Sequence, residues 1–474
     1  MSLFARLPDV TSTVRGALAS ILGSSTNRLT GQAPSRQQVL SMLQSRAPEE
    51  QLKALKFILA QYFGRRDVGE YLSHVANLMT TSYEVKKLAY FFLNAIGNAH
   101  KREILMCINS FHKETSDKQP LVRATALRAL TGLRLSEIVE LLFVTVQKAT
   151  NDFSIYVRKT AALNIMKLSE VEESLLPQLS DLLSKVLKDP YMLVVGPALL
   201  VLHTLFPNRL DLLHPHYRRI CRALNSFEEW YLPTTLTVLL RYARTYLDRR
   251  VLGIDTLDPD LKLLLDNIEP LFNSSSPSVL LAAANVVFHV APETRYRTAA
   301  HSLLTFRSAK TEIAELMLDM AYAFAAKTPE VYGGFHSFFY LSGRDALTVA
   351  RRKVDILTLL IAEGNAMYVL RELVAYAHIE NLAIATLSIS ALGVCAQKPA
   401  FSDACTKHLV SLLKSQRSGV IAQCIIVLRG LIALSPDKYH KVIVHCAKYL
   451  DTLESSTARA SAIWIVGAYN VTPT

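Results

Sequence analysis

The side chains best suited to chemistry in this 474-residue sequence are a few cysteines and histidines. Cys405 and His408 in "CTKH" would share one face of a helix, as a thiol beside a base or as two metal ligands. His445 adjoins Cys446 in "HCAK", and His214 and His216 flank a proline in "LLHPHYRR". A reactive thiol needs a depressed pKa, and a tetrahedral metal needs further ligands nearby. None of the three pairs has such company at ligand spacing. Packed or half-exposed side chains, and a turn at 214–216, are the expected roles. There is no GxSxG, GxGxxG, P-loop or HExxH pattern, so no enzymatic activity, metal or cofactor is expected. The six cysteines (Cys107, Cys221, Cys395, Cys405, Cys424, Cys446) contain no CxxC pair and read as buried, reduced thiols of a cytosolic protein.

Basic clusters offer binding rather than catalysis. Arg218, Arg219 and Arg222 in "HYRRICRAL" share much of one helix face, and Arg241, Arg244, Arg249 and Arg250 follow in "RYARTYLDRR". Lys86 and Lys87 mark an earlier segment, after Arg65 and Arg66. The net charge of +12 is concentrated upstream. Residues 1–250 hold 32 Lys/Arg against 21 Asp/Glu, whereas 251–474 hold 20 against 19. Lys86, Lys87, Arg218, Arg219, Arg222, Arg241, Arg244, Arg249 and Arg250 are therefore candidates for a face toward anionic membrane or an acidic protein. Solvated outer helix faces are the plainer alternative. Tyr242 and Tyr246 among the arginines would suit single-stranded nucleic acid, but four apart on a helix they read as packing residues.

The elements that position these residues are helices. The chain is 50% hydrophobic and 19% charged with only 17 glycines, a composition of ordered helices joined by short polar turns. No apolar run reaches the eighteen or so residues of a membrane span; "YMLVVGPALLVLHTLF" is interrupted by Pro197 and His203. Residues 1–35 carry arginines and serines with a single acid, compatible with a transit peptide or with a helical or loosely ordered terminus. Further on, an apolar triplet recurs: Val85/Ala89/Leu93, Val122/Ala126/Leu130, Val157/Ala161/Ile165, Val194/Ala198/Leu202 and Tyr231/Thr235/Leu239. Their first positions are 37, 35, 37 and 37 residues apart. Val279/Ala283/Val287 and Val420/Cys424/Leu428 fit again, while 300–400 fits loosely. A period in the high thirties with two helical patterns per unit predicts an all-α, HEAT/armadillo-type solenoid curved into a superhelix. The expected parts are a first arc at 36–245, a charged loop at 246–260 and a second arc at 261–474.

Arg158 and Lys159 pose a problem, because they stand at the start of their helix, where its dipole disfavours cations by about 0.3–1 kcal/mol. Asp152 lies six residues before Arg158, and Asp117 six before Arg123. Each pair spans the turn inside a unit. An arginine fork taking both a carboxylate and turn carbonyls would outweigh the dipole and form a ladder along the stack. The next unit departs, with Asp189 but Val195 in the arginine place.

Longer runs carry a resemblance. "ARASAIWIVGAYN" (458–470) resembles the A-R-A then I-W-I/L-x-G-E-Y motif of adaptin trunks, and "ISALGVCA" (389–396) is similar to their A-I-G-R-C-A helix. "EVKKLAYFFL", "INSFHKE" and "PLVRATALRAL" match the N-terminal trunk in order. "EEWYLPTTLTVLLRYART" and "LDPDLKLLLDNIEPLF" resemble the beta-type large subunits of the third adaptor-protein complex. The resemblance runs from about residue 36 to the end. It implies a large-subunit trunk in a cytoplasmic heterotetramer with mu, delta-type large and sigma chains. Such a coat adaptor is recruited to Golgi or endosomal vesicle membranes by an Arf-type GTPase and anionic phosphoinositides. It sorts cargo toward lysosome or vacuole, with cargo tails read indirectly, through mu and sigma. Ala468 and Val394 depart from the family's glutamate and arginine, and a lysine-rich first helix is absent. Lipid contacts therefore do not carry over residue by residue. The chain is expected to be truncated relative to the family, without hinge or ear, and no clathrin-box pattern occurs. Other HEAT-type scaffolds or transport receptors are usually acidic and lack the two C-terminal motifs. A nucleic-acid-binding solenoid has only charge in its favour, and no nucleic acid partner is expected.

Overall fold

The computed structural model describes residues 34–76, 78, 82–97, 99–247, 257–434, 439–449 and 453–469, and every described element is an α- or 3-10 helix. The N-terminal segment lies almost wholly outside the described residues, as do most of the expected loop at 246–260 and its Arg249 and Arg250. No described helix is long and apolar enough to cross a membrane. The helices divide into two compact units, one ending at Thr235 and the other beginning at Leu236.

The first unit contains α1 (Arg36–Gln44), α2 (Pro48–Phe63), α3 (Leu72–Ala76), α4 (Tyr83–Gly97), α5 (Lys101–Glu114) and α6 (Pro120–Gly132). It continues through α7 (Val139–Ala149), α8 (Ile155–Val171), α9 (Leu176–Val186), α10 (Met192–Leu205) and α11 (Tyr217–Arg222). Alternate helices stack side by side: α2 on α4, α4 on α6, α6 on α8 and α8 on α10. The helices between them, α5, α7 and α9, each back onto the next member of that row. The apolar triplets are what the row buries. Val122, Ala126 and Leu130, Val157, Ala161 and Ile165, and Val194, Ala198 and Leu202 all lie in the core. The small middle residue lets neighbouring axes approach within the packing range of helices, about 8–10 Å. At Gly196 the approach tightens, since a Cβ there would stand 3.1 Å from the Tyr231 ring.

The boundary between the units falls within α12 (Leu232–Tyr246). The second unit then runs through α13 (Pro259–Ile268), α14 (Pro277–Val290), α15 (Tyr296–Ser302), α16 (Thr311–Lys327), α17 (Leu347–Leu360) and α18 (Ala366–Ala377). It ends with α19 (Leu382–Ala396), α20 (Ser402–Leu412), α21 (Ser418–Leu434), α22 (His440–Ala447) and α23 (Ser456–Tyr469). Its row is α14, α16, α17, α19, α21 and α23. The loose fit at 300–400 has a local cause. The helix that should back onto α17 is replaced by a 3-10 stretch at Pro329–Phe339, broken at Phe335. Helix α19 is apolar nearly all round because α17 and α21 cover two of its sides. Gly393 belongs to that contact, where an added Cβ would meet Val427 at 2.3 Å.

Candidate functional site

Among the described residues the histidines and cysteines form no reactive centre. Cys405 is buried on α20, and that burial pushes its thiol up to about 12. Burial likewise raises Cys424 and Cys446 to about 12 and Cys395 to about 11, the opposite of an activated nucleophile. His214 and His216 sit in the turn before α11, where burial and then Arg219 and Lys188 lower His216. The His445 side chain is outside the described ones. Among the described residues no three His, Cys, Asp or Glu side chains gather as metal ligands.

The arginines at helix starts form a connected set. Arg123 on α6 donates from Nη1 to the carbonyls of Asp117 (2.8 Å) and Lys118 (3.1 Å) in its own turn. Its Nε and Nη2 grip both oxygens of Asp152, each at 2.8 Å, in the next repeat. Arg158 on α8 repeats this with the carbonyls of Asp152 (2.8 Å) and Phe153 (3.1 Å) and the carboxylate of Asp189 (2.6 Å). Asp152 thus gives its carbonyl to the local Arg158 and its carboxylate to Arg123 of the preceding repeat. The same carboxylates fix the turns, since Asp117, Asp152 and Asp189 accept the amides of Gln119, Ser154 and Tyr191 at 2.8, 2.8 and 2.9 Å. Burial works to raise Asp152, but Arg123 and the Ser154 amide outweigh it and hold its carboxyl below the usual range. Lys159 is satisfied too, with Nζ 2.6 Å from Glu228 and 5.6 Å from the centre of the Tyr231 ring. These contacts outweigh the dipole at both residues.

Two residues expected on an anionic surface belong instead to this internal set. Lys86 follows Val85 as Arg123 follows Val122, is only 7% exposed, and pairs with Glu114 at 3.0 Å. Burial raises the Glu114 carboxyl despite Lys86. Arg219 donates to the carbonyls of Leu187 (2.6 Å) and Asp189 (2.7 Å), just beyond the C-terminal end of α9. It thereby takes the Asp189 carbonyl, one of those that an arginine at Val195 would have bound. The sequence signal was available for Lys86, in its register, and not for Arg219, which enters from a different helix. In the second unit Arg459 of α23 binds the Leu453 carbonyl six residues back at 2.6 Å, the local half of the same arrangement.

The other described residues of the basic clusters are at the surface. Lys87 on α4, Arg218 and Arg222 on α11, and Arg244 on α12 are exposed, and Arg241 is half-buried. Tyr242 and Tyr246 pack ring against ring at 5.1 Å rather than standing apart as stacking platforms. The roomiest of the described cavities, about 950 Å³, is a groove beside the Lys86–Glu114 pair, lined also by Lys113, Lys118 and Asp117.

A family model described as "Adaptin N terminal region" matches residues 32–472. The chain is 29% identical to the AP-3 complex subunit beta-1 of Bos taurus, over 90% of this chain and 42% of that protein. It is 27% identical to the AP-3 complex subunit beta of Dictyostelium discoideum, over 91% of this chain and 46% of that protein. The chain therefore spans less than half the length of these relatives. A chain in a homology model of the full-length AP-3 complex in an intermediate open conformation superposes with a TM-score of 0.66 and 25% identity, covering 97% of this chain and 81% of that one. A structure of Kap95p with RanGDP superposes at a TM-score of 0.57 with 14% identity, over 98% and 67% of the two chains, a likeness of helical-repeat fold.

Proposed function

The chain belongs to the adaptin N-terminal-region family, and from that premise we propose that it is the beta-type large-subunit trunk of a heterotetrameric vesicle-coat adaptor of the third kind. The observation that carries this reading is the likeness to AP-3 beta subunits over 90% or more of the chain, within a family match from 32 to 472 that takes in both helical units. Stacked helices with inert thiols suit a scaffold, whose affinity comes from long buried faces rather than from a reacting pocket. Its partners are then the mu, sigma and delta-type large chains. In this reading an Arf-type GTPase and anionic phosphoinositides recruit the assembly to the cytoplasmic face of Golgi or endosomal vesicles, for sorting toward lysosome or vacuole. Cargo tails reach it through mu and sigma. Other HEAT-type scaffolds or transport receptors share the fold, as the Kap95p likeness illustrates, but not the family match.

Lys87, Arg218, Arg222, Arg241 and Arg244 are the proposed anion-facing residues, with Arg249 and Arg250 after them in the chain. Each cation near an anionic bilayer contributes about 1 kcal/mol. Arg218→Glu with Arg222→Glu is expected to weaken recruitment of the assembled complex to phosphoinositide vesicles at least about tenfold. Sedimentation with vesicles at several salt concentrations reads this directly. Unchanged sedimentation, or a larger loss of binding to RNA than to vesicles, rejects the membrane assignment. Arg219→Glu should instead lower the thermal midpoint, because that guanidinium holds carbonyls and not solvent.

A further inference from the structure

Four exposed apolar side chains recur in the repeat register of the first unit. Leu121, Tyr156, Leu193 and Trp230 are separated by 35, 37 and 37 residues. They stand at the starts of α6, α8 and α10 and just before α12, and are 47%, 37%, 38% and 87% exposed. A scattered exposed leucine needs no explanation, but a row kept in phase through four repeats does. The steps between α6, α8 and α10, at about 8–10 Å each, and a third to Trp230, whose neighbour Tyr231 packs on Gly196 of α10, make the row roughly 24–30 Å long. That is the length of a helix of about 16–20 residues.

Cations accompany the row. Arg128 is two turns beyond Leu121 on α6, exposed, with its guanidinium 5.2 Å from the centre of the Tyr156 ring and bonded to that tyrosine's hydroxyl. Lys167 is three turns beyond Tyr156 on α8, half-buried, with Nζ 3.5 Å from the Arg128 carbonyl. Among the described residues neither has a carboxylate at ion-pair distance. The acids nearby are engaged, Glu170 by Arg134 at 2.7 Å and Glu228 by Lys159 at 2.6 Å. Burial and then Arg128 push the Lys167 amine down, so the surface holds the Lys167 charge at a cost. Such a cost is repaid when a carboxylate arrives.

We propose that this row, with Arg128 and Lys167, is a docking surface for an acidic amphipathic segment of a protein partner. Apolar side chains of the segment lie on Leu121, Tyr156, Leu193 and Trp230, and its carboxylates meet Arg128 and Lys167. A planar carboxylate matches the guanidinium fork. A nucleic-acid strand carries a phosphate every few ångströms and would run past Glu170, Glu228 and Glu229, which disfavours it. The inference rests on the scaffold reading only in taking the occupant to be a protein chain.

The probe is a labelled helical peptide of about 20 residues with a leucine stripe flanked by glutamates, titrated against the whole chain by fluorescence anisotropy. Binding to the unmodified chain is expected, with at least a tenfold loss in Arg128→Glu/Lys167→Glu and a loss in Trp230→Ala. Replacing the peptide's glutamates by lysines should abolish binding. Lys167→Met should raise the thermal midpoint while weakening the peptide, a pair of opposite effects that a purely structural lysine does not give. The proposal is overturned by no binding to the unmodified chain, or by equal binding to the double variant. It is overturned equally if single-stranded RNA or phosphatidylserine vesicles depend on Arg128 and Lys167 more strongly than the peptide does. Should the peptide fail while mu and delta chains co-purify, this surface is lost and the assembly reading stands; the reverse outcome separates them the other way.

Discussion

Arg123→Met is expected to lower the stability of the first unit by about 3 kcal/mol, toward the lower end for removing one partner of a buried ion pair. The change strips both arginine hydrogen bonds from the Asp152 carboxylate, leaving it only the Ser154 amide, and leaves the carbonyls of Asp117 and Lys118 without their donor. The side chains of Arg123 and Asp152 are only 15% and 16% exposed, so water replaces little of what is lost. Urea unfolding followed by circular dichroism measures it, and because repeats couple mainly to their neighbours, the transition should broaden or split. The pH dependence has a defined sign. Asp152 is held below its ordinary value in the folded protein, so its contribution is present at neutral pH and lost as pH falls below the usual carboxylate range. Arg123→Met should flatten that acid limb. Glu114 behaves oppositely: its folded value is raised, so stability declines as pH climbs from the ordinary carboxylate range through the raised value. The matched double change Lys86→Met/Glu114→Met is accordingly expected to be neutral or stabilising, and to leave vesicle binding unaltered. A loss of about 3 kcal/mol there, or none in Arg123→Met, contradicts this account of the two pairs.

Ala161→Phe is the second large effect, also on the order of 3 kcal/mol. Ala161 is fully buried at the centre of α8, which packs against both α6 and α10. A ring at that place must push one neighbour away, and the displacement passes to the Arg123–Asp152 and Arg158–Asp189 pairs at the helix ends. The same exchange on an exposed site of α8 should change the urea midpoint little. Equal midpoints for the two variants would mean that the small middle residue does not set the spacing of the row.

The helical repeat was legible because its signal is local. A stripe of Val157, Ala161 and Ile165 specifies which side of one helix is buried, and five such stripes in phase specify the stack. The same reasoning found Arg123 and Arg158 but mispaired their carboxylates. The side-chain partner lies about thirty residues away, in the next repeat, where only the offset between stacked repeats brings it close. Lys86 reads as surface charge because lysines usually are, although its place after Val85 marks it as a rung. Arg219 could not be read, since an arginine on α11 reaching past α9 is a tertiary contact with no sequence spacing of its own. The row at Leu121, Tyr156, Leu193 and Trp230 was hidden for a similar reason. Nothing in an apolar residue type says that its helix end is uncovered.

The scaffold claim itself is tested by co-expressing the chain with mu, sigma and delta-type subunits, capturing it by a tag, and weighing what elutes by light scattering. The account predicts a stable assembly containing the partner chains in equal numbers. A folded, helical chain that elutes alone, with none of the three bound, would contradict it.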